Sequence, residues 1–171
     1  MKSLQDQMAT YAAYHQAGSN KAIHFLFVPL IVWSGMGLLS VPGAIVVGGL
    51  AVTLAHVAAL ALLAYYLRLD FPLGLAMVAL FTFLLVTALQ VRDAAGAMAL
   101  PFFAGVFVLS WAAQLVGHRF FEGRKPALAD NLWQVFVAPI FVVAEWAFAL
   151  GLRRKLHDQV EAGVPAHMPR A

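Results

Sequence analysis

The sequence predicts an all-α polytopic membrane protein: a helical bundle of four spans with a broken or re-entrant fifth apolar segment and a short N-terminal interfacial helix. Three observations carry that prediction. The chain is 63% hydrophobic and only 11% charged, against roughly 25% charged in soluble domains. Apolar runs of about twenty residues, long enough to cross a bilayer, recur from one end to the other. The links between them are short, with Pro42, Pro72 and Gly96 at or near the turns.

The elements follow in order. Ser3–Ala17 reads as a helix lying on the membrane, opened by Ser3 with Asp6 three residues later and stopped by Gly18. Leu4, Met8, Tyr11 and His15 recur at spacings of four, three and four, so His15 shares the apolar stripe of that helix. The five apolar segments are His24–Ser40, Gly43–Leu67, Phe71–Val91, Ala97–Val116 and Leu132–Leu152. No repeat or low-complexity tract interrupts them. The chain reads as one integral membrane domain, 1–155, followed by a polar C-terminal tail, 156–171.

Lysine and arginine set the topology. With the N-terminus inside and five crossings, six basic residues lie inside and five outside, which is no bias. If the fifth segment enters and leaves on one side, the count becomes ten inside against Arg92 alone outside. Pro139 favours this arrangement, because it removes a backbone hydrogen bond within the fifth segment. Irregular backbone at membrane depth is tolerated where protein or a cavity covers it. Both termini are therefore expected on the cytoplasmic face.

Composition also excludes chemistry. There are no cysteines, hence no disulfide, thiolate metal site, iron–sulfur cluster or cysteine nucleophile. Any metal would be held by histidine, carboxylate, amide or water, a donor set suited to iron, zinc or manganese. The net charge of +3 reads as membrane anchoring, not as a nucleic-acid surface. Met1 to Asn20 has no apolar core, so no cleavable signal is expected.

Three histidines can be placed at one membrane face. His24 opens the first span, His118 closes the fourth, and His15 precedes the first. The start of one span and the end of the span three further on face the same side, so these imidazoles suggest a metal site. Each has a plainer reading. His15 would serve as an interfacial amphipathic side chain, and His24 as a donor to a neighbouring helix carbonyl. His118 lies in the most polar stretch, with Gln114, Arg119, Glu122, Arg124, Lys125, Asp130, Asn131 and Gln134. Gln114, His118 and Glu122 are spaced by four and form one stripe if the helix continues. Glu145 is a carboxylate inside an apolar segment and a functional candidate on cost alone. His56, near the middle of the second segment, is either a further ligand of a sunken site or a helix-to-helix hydrogen bond. Arg119, Arg124, Lys125 and Arg153–Lys155 read as headgroup anchors, and His157 and His167 receive no role.

Tyr14-His15, Asn20, His24 and Pro29, then Gln114 with Gly117-His118-Arg119-Phe120-Phe121-Glu122-Gly123-Arg124-Lys125-Pro126, Asp130-Asn131-Leu132, Ala138-Pro139 and Glu145, form a pattern that resembles the family of small membrane 2-hydroxy fatty acid dioxygenases. The resemblance extends over about the whole chain, with the second block the more specific. It implies an Fe(II)-dependent α-oxidation in which dioxygen shortens a 2-hydroxy fatty acid by one carbon, releasing carbon dioxide, without haem. It implies metal ligation by His15, His24 and His118. Glu145, Glu122, Asn131 and Gln114 match motif positions whose catalytic or supporting roles it does not separate. Arg124 or Lys21 becomes the candidate partner of the substrate carboxylate. The expected location is a bacterial inner membrane, the endoplasmic reticulum being that of eukaryotic relatives. A membrane di-iron site would need about eight histidines in tight clusters, and this chain has six, none closer than nine residues to another. A zinc-dependent lipid hydrolase and a non-enzymatic lipid-binding scaffold are the alternative readings.

Overall fold

A computed structural model describes residues 3–123, 126 and 131–168. The described residues are mostly helical: α1 (Leu4–Ala13), α2 (Gly18–Ser40), α3 (Leu54–Leu69), α4 (Phe71–Ala95), α5 (Ala99–Gly117), α6 (Gln134–Ala149) and α7 (Arg154–His167), with a hairpin of β1 (Ala44–Val47) and β2 (Leu50–Thr53). A single 3₁₀ turn, Gly96–Met98, joins α4 to α5, and a π-helical turn, His118–Glu122, extends α5. By length and composition, two helical stretches can cross a membrane, Gly18–Ser40 and Phe71–Glu122, or three if the bent pair α6–α7 counts as one. The second stretch holds 52 residues, about 78 Å if straight. Gly96, at φ 54° and ψ −123°, breaks it into α4 and α5.

The chain divides into two compact units, residues 29–112 and residues 1–28 with 113–171. In the first, Tyr66 of α3 packs edge-on against Phe81 of α4, and Gly74 lets α4 approach the Leu67 backbone. Trp33 of α2 donates its indole N–H to Thr87 of α4 (3.1 Å) and packs edge-on to Phe103 of α5. Arg92, in the last turn of α4, donates to the carbonyl of Ser40, the last residue of α2 (3.3 Å). Those two C-terminal ends therefore lie together.

The expected second span, Gly43–Leu67, is not one helix. Ala44–Val47 pairs antiparallel with Leu50–Thr53, Val47 opposite Leu50. The two loop residues, Gly48 and Gly49, both have positive φ (57° and 83°), the requirement of a type I′ turn. Two β-branched runs flanking Gly-Gly were the local signal, and it outweighs hydropathy here. Only α3, of 16 residues, remains helical.

In the second unit α1 is N-capped by Ser3, whose Oγ accepts the Asp6 N–H. It ends at Ala13, earlier than the predicted Ala17, because side chains capture its last carbonyls. The Gln16 amide donates to Ala12 O (2.7 Å) and the His15 Nδ1–H to Tyr11 O (2.7 Å), satisfying groups a helix end leaves open. The fifth segment also departs from expectation. Helix α6 passes through Pro139, its sixth residue, where the ring removes one bond in the second turn. The reversal comes at Gly151 (φ 74°). There the Leu152 N–H bonds Ala147 O and the Gly151 N–H bonds Phe148 O, the paired bonds of a Schellman stop, and α7 leaves at 119° to α6. Residues 156–167, expected in a polar tail, belong to α7. Its Leu156, Val160 and Val164 are buried, and Gly163 lies against Ala9 of α1.

Candidate metal centre

The link between α1 and α2, the first turns of α2 and the end of α5 all lie in the second unit, and they bring His15, His24 and His118 together. One ring nitrogen from each falls within a 4.8 Å group, and all three side chains are buried. The His15 ring stacks on Tyr11 at 4.0 Å and 7°. It stands edge-on to His24 at 4.3 Å and to His118 at 4.7 Å.

Backbone carbonyls decide the tautomers. His15 Nδ1 faces Tyr11 O at 2.7 Å and His24 Nδ1 faces Asn20 O at 2.9 Å. A carbonyl only accepts, so both Nδ1 atoms carry hydrogen and each neutral ring keeps its lone pair at Nε2. These two Nε2 atoms face each other at 3.1 Å. Two acceptors do not bond one another; a cation between them resolves the contact. Two nitrogens bound to one ion at roughly 2.1 Å stand about 3.0–3.4 Å apart, so the pair fits a shared metal. His118 Nδ1 is buried with no hydrogen-bond partner. Burial, then the nearby His24, holds the His15 pKa well below its ordinary 6.5, which keeps the ring neutral as ligation requires. Burial also pushes the Tyr11 phenol upward, so the ring stacked on His15 stays uncharged.

Glu122 terminates the π turn and reaches back to α2. One carboxylate oxygen accepts the Ala17 N–H (2.9 Å) and the Asn20 side-chain N–H (3.1 Å), placing negative charge at the positive end of α2. Asn20 thus links two ligand-bearing elements. Its carbonyl holds His24, its amide holds Glu122, and its Oδ1 packs over Gly117, the residue before His118. Gln114, one turn before His118, is buried with Nε2 unpartnered, and Gln134 is buried with Oε1 unpartnered.

Lys21 pairs with Glu145 at 3.6 Å, so the compensating cation of Glu145 among the described residues is an ammonium, where iron or an imidazolium was expected. Phe141, one turn before Glu145, packs against Tyr11 at 4.5 Å. Asn131 is exposed and its Oδ1 accepts the Trp133 N–H, a local turn leading into α6. His56 belongs to the other unit, where Nδ1 accepts the Thr53 N–H (3.1 Å) in a capping box that starts α3. It is not part of the three-histidine group. Arg124 lies outside the described residues. Trp33, Phe102 and Phe103 pack on one another. Sequence reasoning gave no role to Tyr11 or Phe141. The signal for Tyr11 was its position four residues before His15 on the same stripe; Phe141 carried none.

The chain is similar to known proteins along most of its length. The profile of the family described as 2-hydroxy-palmitic acid dioxygenase Mpo1-like matches residues 1–150. The 2-hydroxy-palmitic acid dioxygenase MPO1 of Saccharomyces cerevisiae (strain ATCC 204508 / S288c) is 35% identical over 159 residues, 92% of this chain and 87% of the yeast protein. No solved structure matches the chain.

Proposed function

The chain belongs to the Mpo1-like family of 2-hydroxy-palmitic acid dioxygenases, and from that membership we propose that it is an iron(II)-dependent dioxygenase that shortens 2-hydroxy fatty acids by one carbon. In the balanced reaction one 2-hydroxy acid and one dioxygen give the acid one carbon shorter, carbon dioxide and water. The bond between the carboxyl carbon and C2 breaks, and C2 becomes the new carboxyl carbon.

His15, His24 and His118 would hold the metal. The observation that carries this reading is the pair of Nε2 lone pairs turned on one another across 3.1 Å, with both Nδ1–H groups committed to carbonyls. Three histidines would leave an iron(II) held there free to take up a 2-hydroxy carboxylate and to supply the redox chemistry that dioxygen requires. The chain's own groups do the positioning. The Tyr11 and Asn20 carbonyls fix ring tautomer and direction, as outer partners of ligating imidazoles do. Glu122 holds the first turn of α2 against the end of α5. Lys21, three residues before His24, offers an ammonium to the substrate carboxylate, and Glu145 keeps that ammonium in place. Arg124 is the second candidate for the carboxylate. Tyr11 and Phe141 cover one side of the histidines with ring surface and exclude water there.

In the membrane we propose four crossings, a fifth apolar segment that does not cross, and both termini on the cytoplasmic side of a bacterial inner membrane. The 119° reversal after α6 and the basic-residue count support this. The deciding experiment pairs metal analysis of anaerobically purified protein with mass spectrometry of 2-hydroxy fatty acid turnover. We expect near-stoichiometric iron and a shortened acid formed only with dioxygen. Turnover that persists without dioxygen would instead favour a zinc-type hydrolase.

A further inference from the structure

Burying a polar atom without a partner costs roughly 1–3 kcal/mol, so each such atom asks for the group that satisfies it. Two of them lie where α2 meets α5 in the second unit. Asn20 Oδ1 is an unpartnered acceptor on a side chain with 0% exposure, and Gln114 Nε2 is an unpartnered donor on a side chain with 8% exposure. The Asn20 assignment is fixed, because its Nδ2 donates to Glu122 and leaves Oδ1 as the acceptor. Asn20 lies one turn before His24 and Gln114 one turn before His118, so each amide shares a helix face with a histidine of the group. Gly117, three residues after Gln114, has no side chain and lets Asn20 Oδ1 come down on α5.

The group that satisfies both atoms has to accept from an amide N–H and donate to a carbonyl oxygen. A hydroxyl does both at one oxygen. A carboxylate accepts but cannot donate, and an acyl chain does neither. We infer that Gln114 and Asn20 together read the 2-hydroxyl of the substrate, and so distinguish a 2-hydroxy fatty acid from the unsubstituted acid. This rests on the proposed function. A buried water has the same chemistry, and the test separates the two sources.

The test uses the metal-free full chain in lipid nanodiscs, so that no metal–hydroxyl bond contributes, with 2-hydroxypalmitate and palmitate as probes. Wild type should prefer the hydroxy acid about tenfold, the worth of a good hydrogen bond. Gln114→Met keeps the length without the donor; it should abolish the preference by weakening the hydroxy acid alone. Gln114→Leu removes the donor while keeping a branched side chain without charge, and it carries the same expectation should the methionine variant not fold. Equal weakening of both acids would assign the two amides to a structural water and overturn the inference, as would an unchanged preference. Wild type that binds both acids equally, or neither, overturns the inference alone, because the functional reading is decided separately by dioxygen-dependent turnover of the iron-loaded protein.

Discussion

Gly105→Ala and Gly117→Ala make the same chemical change twice in α5, yet they should move stability in opposite directions. At Gly105 an added methyl meets nothing within 4 Å, and alanine gains about 1 kcal/mol of helix propensity. At Gly117 the methyl would sit 2.5 Å from Asn20 Oδ1 and 3.1 Å from Ile23 Cδ1, where ordinary contact is about 3.5–4.0 Å. The Asn20 side chain must therefore shift by about 1 Å, against the 3.1 Å bond that ties it to Glu122. A hydrogen bond to a charged group is worth about 1.5–3 kcal/mol, and overpacking costs about 1–3 kcal/mol. Set against the propensity gain of about 1 kcal/mol, the two costs together leave Gly117→Ala about 1.5–5 kcal/mol less stable, or roughly 3–20 °C in a chain of this size. Since Asn20 also holds His24 and Glu122, metal retention should weaken about tenfold or more, while Gly105→Ala leaves it unchanged. Thermal unfolding of the metal-free protein in detergent, followed by metal titration of both variants, measures the contrast. A Gly117→Ala protein as stable as wild type, with normal metal retention, would refute the reasoning: Asn20 would not then be held against α5.

Further expectations follow from the same geometry. His24→Ala and His118→Ala should each lose bound metal and activity while still inserting and folding; full metal occupancy in both, by elemental analysis, would dismiss the three-histidine site. Glu145→Gln keeps shape but releases Lys21 from its 3.6 Å pair. Activity should fall more than tenfold, within the roughly 10–100-fold typical of supporting residues, with less metal loss than His118→Ala; wild-type turnover would reduce Glu145 to a helix contact. Reporters fused before Met1 and after Arg170 should both be cytoplasmic, and a C-terminal signal from the far side would make the fifth segment a true span. Because burial depresses the folded His15 pKa, the unfolded chain takes the proton first as pH falls below about 6.5. Metal-free protein should therefore melt progressively lower from pH 7.5 to 5, less steeply in His15→Gln, and a flat wild-type profile would show that His15 takes up its proton without cost to the fold.

How much of this was legible in the sequence depends on the range of the interaction concerned. Hydropathy is summed locally, so the membrane class and the long helices α2, α4 and α5 could be read from residue order. The meeting of His24 and His118 followed from counting crossings, and Ser3 marks the start of α1 through local capping, whereas Gly18, read as the stop of that helix, opens α2. Hydropathy failed at Ala44–Thr53, where Gly48-Gly49 between β-branched residues favours a hairpin, and proline's lost hydrogen bond misled at Pro139, where the helix tolerates it and Gly151 makes the stop.

Residue order alone is enough for an apolar helical chain with three histidines placed toward one face. The folded chain adds which nitrogens of His15 and His24 are free, that Glu122 caps α2, that Lys21 pairs with Glu145, that His56 caps α3, and that α7 packs on α1. Glu122, the Lys21–Glu145 pair and α7 meet partners far apart in the chain, whereas His15, His24 and His56 take partners three or four residues away, a choice among local groups that the packing around each ring makes. Helical periodicity says which face a residue occupies. It says nothing about the rotation and height at which a second helix presents its own carbonyls, carboxylates and glycines to that face.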